Sequence, residues 1–100
     1  MKGFILTRKA KSDLLEIALF TEERWGKDQR NFYIKQFDDA FHLLMKNPLA
    51  GIACDYIKNG YRKFPQGSHI IFYKNASYQT VEIIRILHKH MDIDAKFIKY

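Results

Sequence analysis

The sequence predicts an α+β fold in which a two-helix hairpin packs on a small twisted antiparallel sheet, in the element order β-α-α-β-β-β. Two observations support this fold class. In the first half, apolar residues recur at helical spacing in two consecutive segments. In the second half, short runs rich in β-branched and aromatic residues alternate with turn residues. Because the chain has 100 residues, of which 47% are hydrophobic, residues 1–100 are expected to form one domain.

The chain is predicted to begin with a strand that leads into an amphipathic helix. Gly3–Leu6 is apolar and strand-length, and the Thr7 hydroxyl can cap the helix that follows. Asp13 falls off the apolar stripe of this helix. Gly26 suits a left-handed C-terminal residue, and Asp28 can cap the next helix. The stripe consists of Ala10, Leu14, Ile17, Ala18, Thr21 and Trp25.

A second amphipathic helix is predicted to follow almost at once. Pro48 ends it, because the residue before a proline, Asn47, is pushed out of the helical region. Two helices joined by so few residues should pack as an antiparallel hairpin. The apolar stripe of the second helix consists of Tyr33, Phe37, Ala40, Phe41 and Leu44.

Three further strands are predicted in the second half, at residues 61–64, 69–73 and 78–87. The first should stop at the turn signal of residues 65–67, and a second turn is expected at residues 74–77. Apolar residues occupy both faces of the last strand. That strand is therefore expected at the centre of the sheet, covered on at least one side by the helices.

The net charge of +6 is distributed unevenly along the chain. Residues 1–55 contain nine Lys or Arg and eight Asp or Glu, for a net +1, whereas residues 56–100 contain eight and three, for a net +5. The positive second half should attract polyanions, whether nucleic acid or an acidic protein segment. A basic surface that serves only solubility is the alternative interpretation.

The single cysteine, Cys54, cannot form an internal disulfide, and the first residues do not have the pattern of a secretory signal. No apolar run approaches the roughly 20 residues that span a bilayer. A cytoplasmic location without a membrane role is expected.

Several short motifs follow one another in both halves of the chain. In the first half they are Leu6-Thr7, Ala10, Asp13-Leu14, Ile17, Phe20 and Trp25-Gly26. In the second half they are Gly60-Tyr61-Arg62-Lys63-Phe64-Pro65, His69-Ile70-Ile71-Phe72-Tyr73 and Ile83-Ile84-Arg85-Ile86-Leu87-His88. Their order and spacing resemble the ParE branch of the RelE/ParE toxin superfamily, the plasmid-stabilisation toxins of type II toxin-antitoxin systems. Phe20 stands at a position where that family usually has Tyr.

The resemblance implies a toxin that inhibits DNA gyrase, through the DNA-cleaving subunit of that enzyme, by trapping the cleaved-DNA complex. It also implies neutralisation by a ParD-like antitoxin whose acidic C-terminal segment wraps around the toxin. Operon DNA would be reached only through the antitoxin. The resemblance implies neither a cofactor nor an enzymatic activity.

RelE-like relatives are instead ribosome-dependent mRNA endoribonucleases, and this is the alternative function. Laid against RelE, the position of its catalytic Arg holds His90 here, and the region of its catalytic Tyr holds Lys96 and Phe97. This departure weakens the nuclease interpretation, although Tyr100 with His88 or His90 keeps it open. A degenerate member of the family, without toxicity, is a third possibility.

Six residues are candidates for contacting the antitoxin or gyrase: Arg62, Lys63, Arg85, His88, Lys89 and His90. For Arg62 and Arg85 the alternative is a structural ion pair with a helix carboxylate such as Asp13 or Glu16. The contact surface is expected at the sheet edge and in residues 85–100. His88, His90 and Asp92 alternate as metal ligands can on a strand, but hydrogen bonding or partner binding is favoured and no metal is expected.

Overall fold

The computed structural model describes residues 3–77 and 80–91, in which two helices cover one face of a five-stranded sheet. The sheet order is β1-β5-β4-β3-β2. The predicted fold class is confirmed. The elements are β1 (Gly3–Leu6), α1 (Arg8–Trp25), α2 (Lys27–Lys46), β2 (Ile52–Ala53), β3 (Arg62–Gln66), β4 (His69–Ser77) and β5 (Thr80–His88).

The sheet differs from the predicted one in two details. β1 pairs with β5 in parallel, so the sheet is mixed rather than wholly antiparallel. The helical hairpin separates β1 from the later strands, and a connection of this length permits a parallel neighbour where a tight turn would not. The second detail is β2, whose two residues pair with Lys63 and Arg62 and extend the opposite edge. The sequence analysis did not predict this strand.

Both ends of α1 are formed as predicted. The Thr7 Oγ1 atom accepts a hydrogen bond from the Ala10 amide at 3.0 Å and donates one to the Ile84 carbonyl at 2.7 Å, which ties the start of the helix to β5. Gly26 ends the helix with a φ of 91°. The prediction that Asp28 caps α2 is wrong. Gly26 alone separates the helices and is itself the N-terminal cap of α2, so Asp28 lies within the first turn.

The core lies between the helical hairpin and the sheet. Both helical stripes are largely confirmed, with two exceptions on α1. Trp25 is 63% exposed at the hairpin tip, and Asp13, which falls off the predicted stripe, is buried. The buried residues of this core are Ala10, Ile17, Phe37, Ala40, Phe41, Leu44, Ile71, Tyr73, Val81, Ile83 and Ile86. A smaller cluster consists of Cys54, Phe72 and Leu87, and the connection after α2 supplies its partly buried neighbours Ile57 and Tyr61.

Two strand ends differ from the sequence prediction. β3 continues through Pro65, which pairs with Ile70. In the described part of the chain, no β2 residue pairs with β3 beyond Lys63, so this stretch is an edge where the missing proline N–H leaves no partner unsatisfied. The predicted turn at residues 74–77 is wrong, because β4 remains paired with β5 as far as Ser77. The predicted start of the last strand, Tyr78, lies outside the described residues.

β5 lies between β1 and β4 and packs against α1, as predicted for the apolar last strand. Within the described ranges, no helix is both long and apolar enough to cross a membrane.

Candidate functional site

Arg85 forms a buried ion pair with the helix carboxylate of Asp13. Its Nε and Nη2 atoms donate to the two carboxylate oxygens at 2.8 and 2.9 Å, and the Ile86 amide donates to the same carboxylate at 2.9 Å. The two side chains are only 12% and 11% exposed. The structural alternative considered for Arg85 is thus present, and its guanidinium holds β5 to α1. A role in partner binding stays a prediction.

Arg62 and Lys63 lie together where β2 joins the sheet. The Arg62 Nη1 atom donates to the Gly51 carbonyl at 2.7 Å, so Arg62 contacts the backbone of the connection rather than a helix carboxylate. Lys63 Nζ donates to Tyr56 Oη at 3.3 Å and lies 5.8 Å from the centre of its ring. Tyr56 is 71% exposed. The pair of Lys63 and Tyr56 therefore presents a cation and an aromatic ring to solvent.

His88, Lys89 and His90 lie together at the end of β5. The rings of the two histidines are 5.1 Å apart, and the His90 amide donates to His88 Nδ1 at 3.2 Å. The Lys89 amide donates to the Ser68 carbonyl at 3.0 Å, so the side chains of Lys89 and His90 project from an anchored backbone and are exposed. Other predicted participants, Asp92, Lys96, Phe97 and Tyr100, lie outside the described residues.

The six predicted residues do not form one cluster. Arg62 pairs with Tyr73 across the sheet, whereas His88 pairs with His69 at the other end of β4. Tyr73 and His69 are four residues apart, which corresponds to about 13 Å along a strand. Lys63 and Arg85 flank Phe72 in one row across the sheet, with Arg85 bonded to Asp13 of α1, whereas His88 lies three residues further along β5, next to Lys89 and His90.

A neutral histidine beside His88 was missed by the sequence analysis. The His69 Nδ1 atom lies 2.8 Å from Tyr33 Oη, and the His69 ring is nearly perpendicular to that of His88 with 5.3 Å between centres. Burial, with a smaller effect from His88, lowers the pKa of His69 from 6.5 to about 4. His69 is therefore uncharged near neutral pH. No sequence signal links Tyr33 and His69, because they come together only when α2 packs on β4.

The proton positions of this pair follow from the contact lengths. Tyr33 Oη accepts a hydrogen bond from the Ser68 amide at 3.1 Å and has one proton to donate. His69 Nδ1 at 2.8 Å is closer to it than the Gln66 carbonyl at 3.3 Å. If Tyr33 donates to Nδ1, the neutral His69 ring carries its proton on Nε2 and is a hydrogen-bond donor there.

Two adjoining cavities of about 500 and 450 Å³ open beside His69 and His88. Both are lined by Phe20 of α1, and they differ in their other walls. Trp25 and Tyr33 line the larger one, while Asp13 and Glu16 line the smaller. In residues 3–77 and 80–91, no three His, Cys, Asp or Glu side chains are arranged to hold a metal ion. The described side chains in and around these cavities can give a ligand hydrogen bonds, aromatic contacts and positive charge.

Comparisons with known proteins agree with this architecture. A family model described as the ParE toxin of the type II toxin-antitoxin system parDE matches residues 4–93. A relative named Toxin ParE1 from Mycobacterium tuberculosis is 40% identical over 91 residues, which cover 91% of this chain and 93% of the relative. Toxin ParE1 of Caulobacter vibrioides is 36% identical over 95 residues, covering 95% and 97%.

A solved structure has the same fold at much lower sequence identity. It is titled as the chromosomal ParDE TA system from P. aeruginosa, and it superposes with a TM-score of 0.74. The match covers 88% of this chain and 96% of the other, at 18% identity. At that level of identity the match shows a shared fold, while the relationship of the sequences rests on the family model and the ParE1 relatives.

Proposed function

The chain belongs to the family of ParE toxins of type II toxin-antitoxin systems, and we propose that it inhibits DNA gyrase by trapping the enzyme's cleaved-DNA complex. The family match across residues 4–93 is the observation that carries this proposal. An inhibitor of this kind needs only binding energy. If it prefers the cleaved state of gyrase, it shifts the equilibrium towards that state in proportion to its differential affinity.

The two sheet arginines, Arg62 and Arg85, already bind other groups of the fold. This supports action by binding rather than by bond cleavage. A ribonuclease needs cations that hold the reacting phosphate and a base that takes the 2′-hydroxyl proton. Arg85 is bound to Asp13 and Arg62 to the Gly51 carbonyl, so both guanidinium groups stabilise the fold. Catalysis would require them to leave these contacts, whereas protein binding does not.

The cluster of half-buried His88 with exposed Lys89 and His90 is the proposed contact with the DNA-cleaving subunit of gyrase. Its backbone is held by the bond from the Lys89 amide to the Ser68 carbonyl, so binding orders the side chains without first ordering the backbone. Lys63 with Tyr56 is the second proposed contact, on β3, which β4 separates from β5. A cation beside an exposed aromatic ring is a combination common at protein interfaces.

The proposed antitoxin is ParD-like and contributes an acidic C-terminal segment. The net charge of +5 on residues 56–100 is complementary to such a segment. A disordered acidic chain would order on binding and could reach both proposed contacts. The operon DNA is then bound by the antitoxin and not by this chain. Toxin, antitoxin and gyrase meet in the cytoplasm.

A gyrase assay tests the proposal. Purified chain is incubated with gyrase, ATP and supercoiled plasmid, and the DNA is analysed after detergent and protease. Linear DNA is the expected product, because denaturation releases the double-strand break that the inhibitor has trapped. Lys89→Ala should need more protein for the same yield, whereas Lys35→Ala, a charge change on an exposed face of α2, should behave as the wild type. Undiminished supercoiling with no linear DNA would reject the proposal.

Ribosome-dependent mRNA cleavage is the second candidate function. The proximity of the His88 and His90 imidazoles favours it, since this residue type can move protons near neutral pH. Primer extension on a translated message should then reveal codon-linked cuts that disappear in His88→Ala. A message that stays intact while induction of the chain stops growth would count against this function.

A further inference from the structure

We propose that the cavity between the end of α1 and the start of β4 is a binding site for an unstacked nucleobase, whose attached phosphate is met by Arg24 and Lys89 at the rim. This site adjoins the proposed gyrase contact, since His88 lines the cavity and Lys89 is shared, but nucleotide binding is an activity that neither gyrase inhibition nor antitoxin binding requires. The cavity has a volume of about 500 Å³. That volume lies within the range of small-molecule pockets and can accept one nucleotide.

Two exposed aromatic rings form one side of the cavity. Phe20 is 55% exposed and Trp25 is 63% exposed, and their rings meet edge to face with 6.4 Å between centres. Neither side chain contributes to the buried core. Faces of this kind stack on bases without regard to sequence, because every base has a π-face. The Arg24 guanidinium lies over both rings, and because the rings are nearly perpendicular, a base can stack on only one of them at a time.

The opposite side of the cavity offers neutral hydrogen-bonding groups. His69 is uncharged near neutral pH, so its ring supplies one hydrogen-bond donor and one acceptor, and Nδ1 is the nitrogen that faces Tyr33. The Gln29 amide and the Ser68 hydroxyl each supply a donor and an acceptor. The edge of a nucleobase carries donors and acceptors side by side, so it can satisfy all three groups. A purely apolar occupant would bury them unpaired.

The charges around the cavity suit an attached phosphate. None of the residues that line it, among those the structure describes, is acidic. The Arg24 guanidinium lies 5.4 Å from the centre of each of the two rings, and Lys89 is bonded through its amide to Ser68. The adjoining cavity carries Asp13 and Glu16 instead. A phosphate is thus favoured towards Arg24 and Lys89, which adjoin the lining residues Trp25 and His88, and disfavoured towards Asp13 and Glu16.

Trp25 is the only tryptophan of the chain, so its fluorescence reports on this cavity. Titration with AMP, GMP, CMP and UMP, and with a short single-stranded oligonucleotide, should give saturable quenching, because the base stacks on the indole ring. Inorganic phosphate alone should leave the emission unchanged. No saturable quenching by any nucleotide or by the oligonucleotide would overturn the proposal. Quenching by a short polyglutamate peptide alone would overturn it too.

A matched pair of variants on α1 separates stacking from unspecific contact. Phe20→Ala should weaken nucleotide binding on the order of tenfold. Leu19→Ala should bind as the wild type does, since Leu19 is equally exposed, at 58%, but does not line the cavity. Both variants keep Trp25, and circular dichroism confirms that they are folded. Equal affinities for the two variants would contradict the proposed site.

The phosphate contact has its own test. Wild-type chain should bind AMP more tightly than adenosine, because the phosphate gains the Lys89 and Arg24 charges. Lys89→Ala should reduce that difference and leave adenosine binding unchanged. An AMP preference that persists fully in Lys89→Ala and in Arg24→Ala would remove the phosphate part of the proposal.

Discussion

Asp13 makes three hydrogen bonds within the core, two from the Arg85 guanidinium and one from the Ile86 amide. A carboxylate that is buried away from water is stable only when its charge and lone pairs are compensated in this way. The pair joins the middle of α1 to β5, next to the cluster of His88, Lys89 and His90. The geometry of that cluster therefore depends on a contact far from it in sequence.

Asp13→Asn is expected to destabilise the fold by about 3–5 kcal/mol, because it leaves the buried Arg85 charge without its partner. Urea unfolding followed by circular dichroism measures this. Asp39→Asn is the matched control, since Asp39 pairs with Lys35 on the exposed face of α2 and its loss should leave the unfolding midpoint almost unchanged. Similar losses in both variants would contradict the structural role of Asp13.

The lowered pKa of His69 predicts that the stability of the fold depends on pH. Its pKa is about 4 in the fold against 6.5 in the unfolded chain, so between these values the unfolded state binds more protons. Stability is full above pH 6.5 and falls as the pH drops towards 4, by an amount on the order of 3 kcal/mol. In the His69→Gln variant, the free energy of unfolding should differ much less between pH 4.5 and pH 7 than it does in the wild type. An unchanged pH slope in that variant would show that His69 is not the titrating group.

At the scale of elements, Tyr73 anchors the connection between α2 and β3. Its Oη atom accepts a hydrogen bond from the Gly51 amide at 2.8 Å and donates one to the Pro48 carbonyl at 2.7 Å. Burial raises the pKa of Tyr73, which keeps the hydroxyl protonated and able to donate. Arg62 closes the same arrangement through the Gly51 carbonyl. This anchor holds β2 against the sheet edge that carries Lys63.

Gly51→Ala should loosen this anchor. A Cβ atom at Gly51 would lie 2.5 Å from Tyr73 Oη and 2.7 Å from the Lys63 carbonyl oxygen, and that backbone oxygen cannot move aside alone. The expected loss is about 1–3 kcal/mol, from overpacking. Thermal unfolding measures it, with Gly3→Ala as control because no atom of the described residues lies within 4 Å of its added Cβ. An unchanged melting temperature in Gly51→Ala would contradict the close approach.

The elements that the sequence predicts well are those set by local periodicity. The stripes of α1 and α2, the Thr7 cap and the Gly26 terminus all follow from residues within one or two turns of each other. The errors arise from non-local pairing. β4 continues through the expected turn because its residues to Ser77 pair with β5, and Asp13 is buried because Arg85 meets it from another element.

At the scale of the whole molecule, charge separates the helical hairpin from the second half of the chain. If the proposed acidic antitoxin binds the net charge of +5 on residues 56–100, its association should be steered by long-range attraction. The association rate is expected to fall as sodium chloride is raised, with little change in the dissociation rate. Stopped-flow mixing of toxin and antitoxin measures both rates.

Matched charge reversals test this interpretation. Lys63→Glu should slow association more than Lys35→Glu, since Lys63 lies on β3 in the positive second half of the chain and Lys35 on the exposed face of α2. Equal effects, or a rate that does not depend on salt, would show that net charge alone or apolar contact governs the encounter.

The candidate site was only partly predictable from sequence. The motifs identified the family correctly, because their order spans nearly the whole chain. They also marked His88, Lys89 and His90, which do lie together at the end of β5. The ion pair of Arg85 with a helix carboxylate such as Asp13 was the structural alternative from the sequence, whereas nothing indicated that His69 faces Tyr33. These contacts join α1 or α2 to the sheet, and periodicity within one element carries no information about them.

A titration of gyrase with this chain tests most directly whether the protein acts by binding. At fixed gyrase, ATP and supercoiled plasmid, the yield of linear DNA should rise with the ratio of chain to gyrase and level off once gyrase is saturated, however long the reaction runs. A trace of chain that keeps producing cut nucleic acid with time, in this reaction or on translated mRNA while gyrase stays fully active, would contradict the account.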